Sequence, residues 1–176
     1  MAFREITIGV DHSMSSTGIA VIAMTDEELP ILLEGIEVRT SPKDSYGERL
    51  EQIYDEFVRM VEKYEPDHIV REQSISVWGR NNSTQVIFRV VGVLDLAYEK
   101  VRGGDFPTIP IKQVKKLITG DGKADKSEMD IAVRHIMSID DEDFFKTKRG
   151  RLKDDIVDAV GIALSYYDKK GIYKLN

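Results

Sequence analysis

The first forty residues hold three strand-length apolar runs, at residues 4–11, about 17–24 and about 31–38, with only a few residues between them. Gaps that short join antiparallel neighbours, because a parallel crossover needs about a dozen residues or more. The turn signals agree. The serine-rich stretch His12-Ser13-Met14-Ser15-Ser16 with Gly18 follows the first run, and Asp26 to Pro30 follows the second. The chain therefore opens as a three-stranded meander.

Beyond the meander the period changes from two to 3.6. Leu50, Ile53, Tyr54, Phe57, Val58, Val61 and Tyr64 recur at helical spacing, and Pro66 ends that helix. His68-Ile69-Val70-Arg71-Glu72 reads as a fourth strand, and Trp78-Gly79-Arg80-Asn81-Asn82-Ser83 as a loop. A second helix, residues about 83–102, carries Val86, Ile87, Val90, Leu94, Ala97 and Val101 on its apolar side. Thr108-Ile109-Pro110-Ile111 gives a short fifth strand, followed by a helix from about Lys112 that Gly120 and Gly122 break. Asp125-Lys126-Ser127-Glu128 has the spacing of a capping box for the next helix, and the last runs from about Asp154 to Asp168. The order β-β-β-α-β-α-β-α-α-α specifies an α/β fold: a mixed five-stranded sheet with helices on both faces. No repeat or linker divides residues 1–176, so one domain is expected.

Four acidic residues stand out against this framework. Asp11 ends the first strand and Glu72 the fourth. Asp155 and Asp158 lie three residues apart at the head of the last helix, on one face, with Asp154 close enough to leave the register of the pair open by one residue. If the two strands are neighbours and the helix packs on them, the carboxylates converge. All-oxygen donors suit hard cations such as Mg²⁺ or Mn²⁺, and paired ions can drive an in-line phosphoryl displacement. Singly, each acid has a plainer explanation: a turn Asp, an exposed strand-end Glu, or acids favoured at a helix N-terminus. Asp158 is the hardest to dismiss, because it sits among Val157, Ala159 and Val160, where an unpaired carboxylate is costly.

Charge is unevenly distributed. The formal net charge is -6, yet Lys112, Lys115, Lys116, Lys123 and Lys126 cluster, and five basic residues fall between Lys146 and Lys153 with no acid among them. Such runs are usually solvated faces, but two of them beside a carboxylate set fit a phosphate-rich partner. The chain has no cysteine, hence neither a disulfide framework nor a thiolate metal site. His12, His68 and His135 lack metal-ligand spacing, and a structural role for His12 is favoured over a proton shuttle beside Asp11. The 12–18 turn lacks the Gly-Lys-[Ser/Thr] of a nucleotide-binding P-loop. With no apolar run of transmembrane length and no leader pattern at Met1 to Glu5, a cytoplasmic protein without membrane contact is expected.

Four blocks together resemble the RuvC-type Holliday-junction resolvases, in their phage-like form, nucleases of the RNase H-like fold. They are Gly9-Val10-Asp11-His12-Ser13 with Thr17-Gly18-Ile19-Ala20-Val21; Val70-Arg71-Glu72-Gln73; Gln113-Val114-Lys115-Lys116 with Thr119-Gly120 and Ala124-Asp125-Lys126-Ser127; and Asp155-Ile156-Val157-Asp158-Ala159. The resemblance implies an endonuclease that binds branched DNA as a homodimer through the second helix. It also implies two Mg²⁺, with Mn²⁺ substituting, held by Asp11, Glu72, Asp155 and Asp158. Lys115 and Lys126 would contact phosphates, supported by Lys112, Lys116, Lys123 and Arg80. His12 stands where bacterial members usually carry proline. Ile75 stands where an aromatic is common, leaving Trp78 as the nearest base-stacking candidate. Two alternatives are an RNA-acting nuclease of the same fold and a non-catalytic nucleic-acid-binding module. A kinase or ATPase of the actin/sugar-kinase type would need a second strand-Asp-Gly-Thr block, which the sequence lacks.

Overall fold

The computed structural model describes residues 3–74 and 82–175. Strands β1 (Phe3–Asp11), β2 (Ser16–Thr25) and β3 (Pro30–Arg39) are followed by α1 (Tyr46–Tyr64), β4 (His68–Glu72), α2 (Asn82–Val101), β5 (Thr108–Ile109), α3 (Ile111–Thr119), α4 (Lys126–Ile136) and α5 (Asp154–Lys170). The element order is the expected one. The five strands form one mixed sheet in the order β3-β2-β1-β4-β5. β1, β2 and β3 pair antiparallel, while β4 joins β1, and β5 joins β4, in parallel.

Alternation along the strands sorts two cores. Ile8, Val10, Ile19, Val21 and Ile69 face a cluster with Ile53, Phe57 and Met60 of α1 and Val90, Leu94 and Ala97 of α2. Ala20, Ile22, Met24 and Val70 face the other side, against α5, Val114 and Ile118 of α3, and Met129 and Val133 of α4. The second core is closed by α5, whose residues from Ile156 to Tyr167, Asp158 apart, are all buried. By the same alternation Gly9 and Asp11 of β1, and Glu72 of β4, point toward α5.

Local chemistry sets the ends of the elements. Ser45 and Glu48 form a reciprocal capping box on α1, and Asp125 and Glu128 form the anticipated one on α4. The fifth strand is shorter than its apolar run: Pro110 has an extended backbone and caps α3, so Ile111 already belongs to the helix. Between α4 and α5 the basic run folds back on itself through a bridge between Lys146 and Leu152, anchored by the buried Phe145. In the sequence this segment shows only as a charge run.

Candidate active site

β1 and β4 are parallel neighbours in register up to Val10–Arg71, so Asp11 and Glu72 reach the carboxyl edge of the sheet side by side, still paired with Gly18 and Ile109 on their other flanks. Glycine lets α5 reach them. A Cβ at Gly9 would collide with the Ala159 carbonyl oxygen, and a Cβ at Gly18 with the Asp155 carbonyl oxygen. Because Gly18 pairs with Asp11 across the β1–β2 ladder, the first turns of α5 lie directly against the Asp11 strand end. Two strand ends and one helix head thus bring Asp11, Glu72 and Asp158 into mutual electrostatic range, with Asp155 acting on Asp11.

The electrostatics show how crowded this is. Burial raises the Asp11 carboxyl well above its usual range, and the charges of Asp158, Glu72 and Asp155 raise it further. Asp158 is pushed up to about 6, chiefly by burial, with Asp154 and Glu72 adding and Lys115 and Lys126 opposing. Glu72 is raised by burial, while its hydrogen bond with Asp11 and the charge of Lys115 pull it back. Asp155 is raised by burial against a hydrogen bond from the Ser16 hydroxyl, which donates to it. Two carboxyl groups share a hydrogen bond only when one of them holds a proton. A divalent cation neutralises such a cluster as a proton would, and the donors are all hard oxygens, so these residues fit a Mg²⁺-type ion.

The carboxylates have an unforeseen neighbour. Glu37 of β3 lies opposite Gly18, and its carboxylate comes together with those of Asp154 and Asp155, ligand atoms within 4.8 Å of one another. Arg151 holds Glu37 at 2.6 and 3.2 Å, and Arg39 at 3.1 Å. Asp154 is ion-paired to Lys126. Of the two adjacent aspartates, Asp155 is the one whose charge bears on Asp11. Glu37 is a strand Glu in an alternating segment, and only its position across from Gly18 would have flagged it.

The sequence profile described as "Crossover junction endodeoxyribonuclease RuvC" matches residues 7–166. The chain belongs to this family. A crossover junction endodeoxyribonuclease RuvC of Brachyspira hyodysenteriae is 28% identical over 169 residues, covering 96% of this chain and 97% of its own. One of Ehrlichia ruminantium (strain Gardel) is 29% identical over 167 residues, covering 90% and 94%. In fold, the chain is similar to Thermus thermophilus RuvC, with a TM-score of 0.75 at 23% identity, covering 96% of this chain and 98% of that one. It is also similar to the yeast mitochondrial resolvase Ydc2, with a TM-score of 0.63 at 14% identity, covering 91% and 76%. The RNase H-like architecture is the expected one, and membership brings the reaction class: metal-dependent endonucleolytic cleavage of DNA.

The RuvC-like basic residues fall into groups. Lys115 donates to the Ala124 carbonyl at 2.7 Å, and its charge bears on both Glu72 and Asp158. Lys126 acts on Asp154, Asp155 and Asp158. Lys112, Lys116 and Lys123 are exposed and make no ion pair among the described residues. The second basic run is partly spent internally: Lys146 pairs with Asp143 at 2.8 Å and Arg151 with Glu37, leaving Lys148 and Arg149 exposed. Trp78 and Arg80 lie outside the described residues. His12 is buried, with Nε2 2.7 Å from the Ser74 hydroxyl, and burial and the charge of Arg71 lower its pKa to about 4. A neutral, packed imidazole matches the structural reading. No helix among the described residues is long and apolar enough to cross a membrane.

Proposed function

We propose that the protein resolves Holliday junctions as a homodimer, hydrolysing phosphodiesters symmetrically with two Mg²⁺ per active site, Mn²⁺ substituting. The observation that carries this reading is the convergence of Asp11, Glu72 and Asp158 from two strand ends and a helix head, each raised in pKa by burial. Asp11, Glu72, Asp155 and Asp158 would hold the ions. Bound there, divalent ions supply an activated attacking water and Lewis-acid stabilisation of the departing oxygen.

The chain's own residues then have separable roles. The four carboxylates fix where the scissile phosphate sits, and α5 holds two of them rigidly because it is packed along its length. Lys115, beside Glu72 and Asp158, offsets their charge and that building on the phosphate. Lys126, ion-paired to Asp154 beside the carboxylates, would contact a DNA phosphate there. Lys112, Lys116 and Lys123, with Trp78 and Arg80, would extend the DNA-binding surface. Release of the 3′-oxygen would leave 5′-phosphate ends.

A four-way junction has approximate two-fold symmetry, which a C2 dimer matches. The outward side of α2 supports that assembly: Ile87, Phe88 and Leu96 are 39%, 47% and 53% exposed. The whole chain would act as one nuclease domain in the cytoplasm. The test is incubation of purified protein with labelled four-way junction, duplex, single-stranded DNA and RNA/DNA hybrid, in Mg²⁺, Mn²⁺ or EDTA. Paired, metal-dependent nicks confined to the junction support the proposal, and preferential cleavage of the hybrid overturns it.

A further inference from the structure

Arg71 precedes Glu72 on β4, and strand alternation turns it to the sheet face opposite the carboxylates. On the β1 side the ladder ends at Val10–Arg71, so Glu72 projects beyond the last pair. Arg71 spans that boundary. Its Nη1 donates to the Glu72 carbonyl at 3.1 Å, and its Nη2 donates to Asp95 Oδ1 of α2 at 3.0 Å. The guanidinium lies 5.4 Å from the centre of the Phe106 ring, and the side chain is only 9% exposed. A cation buried to this degree is costly unless its donors and its charge are met. Here Nη1 meets the backbone of a candidate metal ligand and Nη2 meets a helix on the far face of the sheet, while Nε has no partner among the described residues.

We propose that Arg71 is a positioning residue for Glu72, fixing the end of β4 to α2 through Asp95 and so coupling the geometry of the metal-holding carboxylates to the seating of that helix. The inference rests on Glu72 being a metal ligand. Groups that orient a ligand influence metal affinity although they never touch the ion. Arg71 has this position with respect to Glu72, and Asp95 has it at one remove. Asp95 lies on α2 next to Leu96, part of the exposed apolar side, so a partner docking there reaches the active site through one ion pair.

A core ion pair without this role would change stability and leave metal affinity alone, which separates the two readings. Mn²⁺ binding to the metal-free protein is measured by electron paramagnetic resonance for wild type, Asp95→Ala, Arg71→Lys and Arg71→Met, alongside thermal unfolding. Asp95→Ala and Arg71→Met are expected to weaken Mn²⁺ binding about 10-fold. Arg71→Lys, which keeps the charge but cannot make both bonds, falls between them and wild type. The Mg²⁺ concentration for half-maximal junction cleavage shifts in the same order. Wild-type Mn²⁺ affinity in Asp95→Ala and Arg71→Lys, with only the melting temperature lowered, overturns the proposal. If Arg71→Met does not fold, those two variants still decide. Failure of the wild type to bind Mn²⁺ at all would instead reject the metal site.

Discussion

Gly18 and the Asp155 carbonyl are in contact so close that no side chain fits at position 18. The carboxylates meet because of this contact and the matching one between Gly9 and Ala159. Gly18→Ala is expected to push the head of α5 away from β1 and β2. Both flanking groups are backbone, so relief requires the helix to move, and overpacking of this kind costs about 1–3 kcal/mol, occasionally more. Urea unfolding should show that loss, and cleavage should fall further than stability accounts for. Wild-type cleavage by Gly18→Ala would mean that α5 can shift without disturbing the site.

Asp11→Asn, Glu72→Gln and Asp158→Asn should each abolish cleavage while leaving junction binding in Ca²⁺ largely intact. On the proposed reading each would remove an anionic metal ligand and no phosphate contact. Binding is measured by fluorescence anisotropy on a labelled junction and cleavage by strand-resolved gel. Near-normal cleavage by any one variant at saturating Mg²⁺ removes that residue from the site.

The same crowding predicts how metal-free stability depends on pH. The folded pKa of Asp158 is about 6, above its usual 3.8. The folded state therefore binds this proton more tightly than the unfolded chain. The stability it confers is complete below about pH 4 and is lost as pH rises through 6. His12, lowered to about 4, has the opposite slope over much of this window. That contribution cancels when wild type and Asp158→Asn are compared. The variant should gain on the wild type from pH 4 to 7, reaching about 2–3 kcal/mol, since each pKa unit is about 1.4 kcal/mol. Saturating Mg²⁺ should stabilise the wild type and erase much of the difference. A pH-independent difference would show that the charged carboxylate is tolerated without an ion.

Much of this was legible because it is periodic or local. The meander followed from run lengths and turn residues, α1 from its heptad-like apolar spacing and Pro66, and α4 from Asp125 and Glu128. Adjacency was not legible. That β4 pairs with β1 rather than with the meander's other edge is a long-range outcome, and the convergence of Asp11 with Glu72 depends on it. Glu37 escaped notice for the same reason. In sequence, Ile36-Glu37-Val38-Arg39 alternates like a half-exposed edge strand, and the arginine that buries Glu37 is 114 residues away. The basic run 146–153 was visible as charge, but its internal pairing with Asp143 and Glu37 was not.

Assembly is tested through α2. Phe88→Glu and Leu96→Glu place charge on side chains that are 47% and 53% exposed, so neither should disturb the folded chain. Sedimentation at micromolar protein should show a dimer for wild type and a shift toward monomer for both variants. Paired junction nicks should become single, uncoupled nicks. A monomeric wild type, with and without junction DNA, would reject α2 as an interface.

In a chain of net charge -6, DNA binding depends on where the cations are left unpaired. Among the described residues Lys112, Lys116 and Lys123 meet that condition on the α3–α4 side, and Lys115 and Lys126 lie at the carboxylates themselves. Each phosphate contact displaces condensed counterions, so log affinity falls with log salt with a slope of roughly -0.9 per contact on duplex arms. Loss of Lys115 or Lys126 should flatten the slope by about one unit per protomer and weaken binding alike on every junction sequence. Lys169, in the last turn of α5 and far from the carboxylates, serves as the comparison. Junction binding is measured in Ca²⁺ across a salt series for Lys115→Ala, Lys126→Ala and Lys169→Ala. The first two slopes should flatten and the third should match wild type. Four equal slopes would mean that these lysines tune the carboxylates without touching DNA.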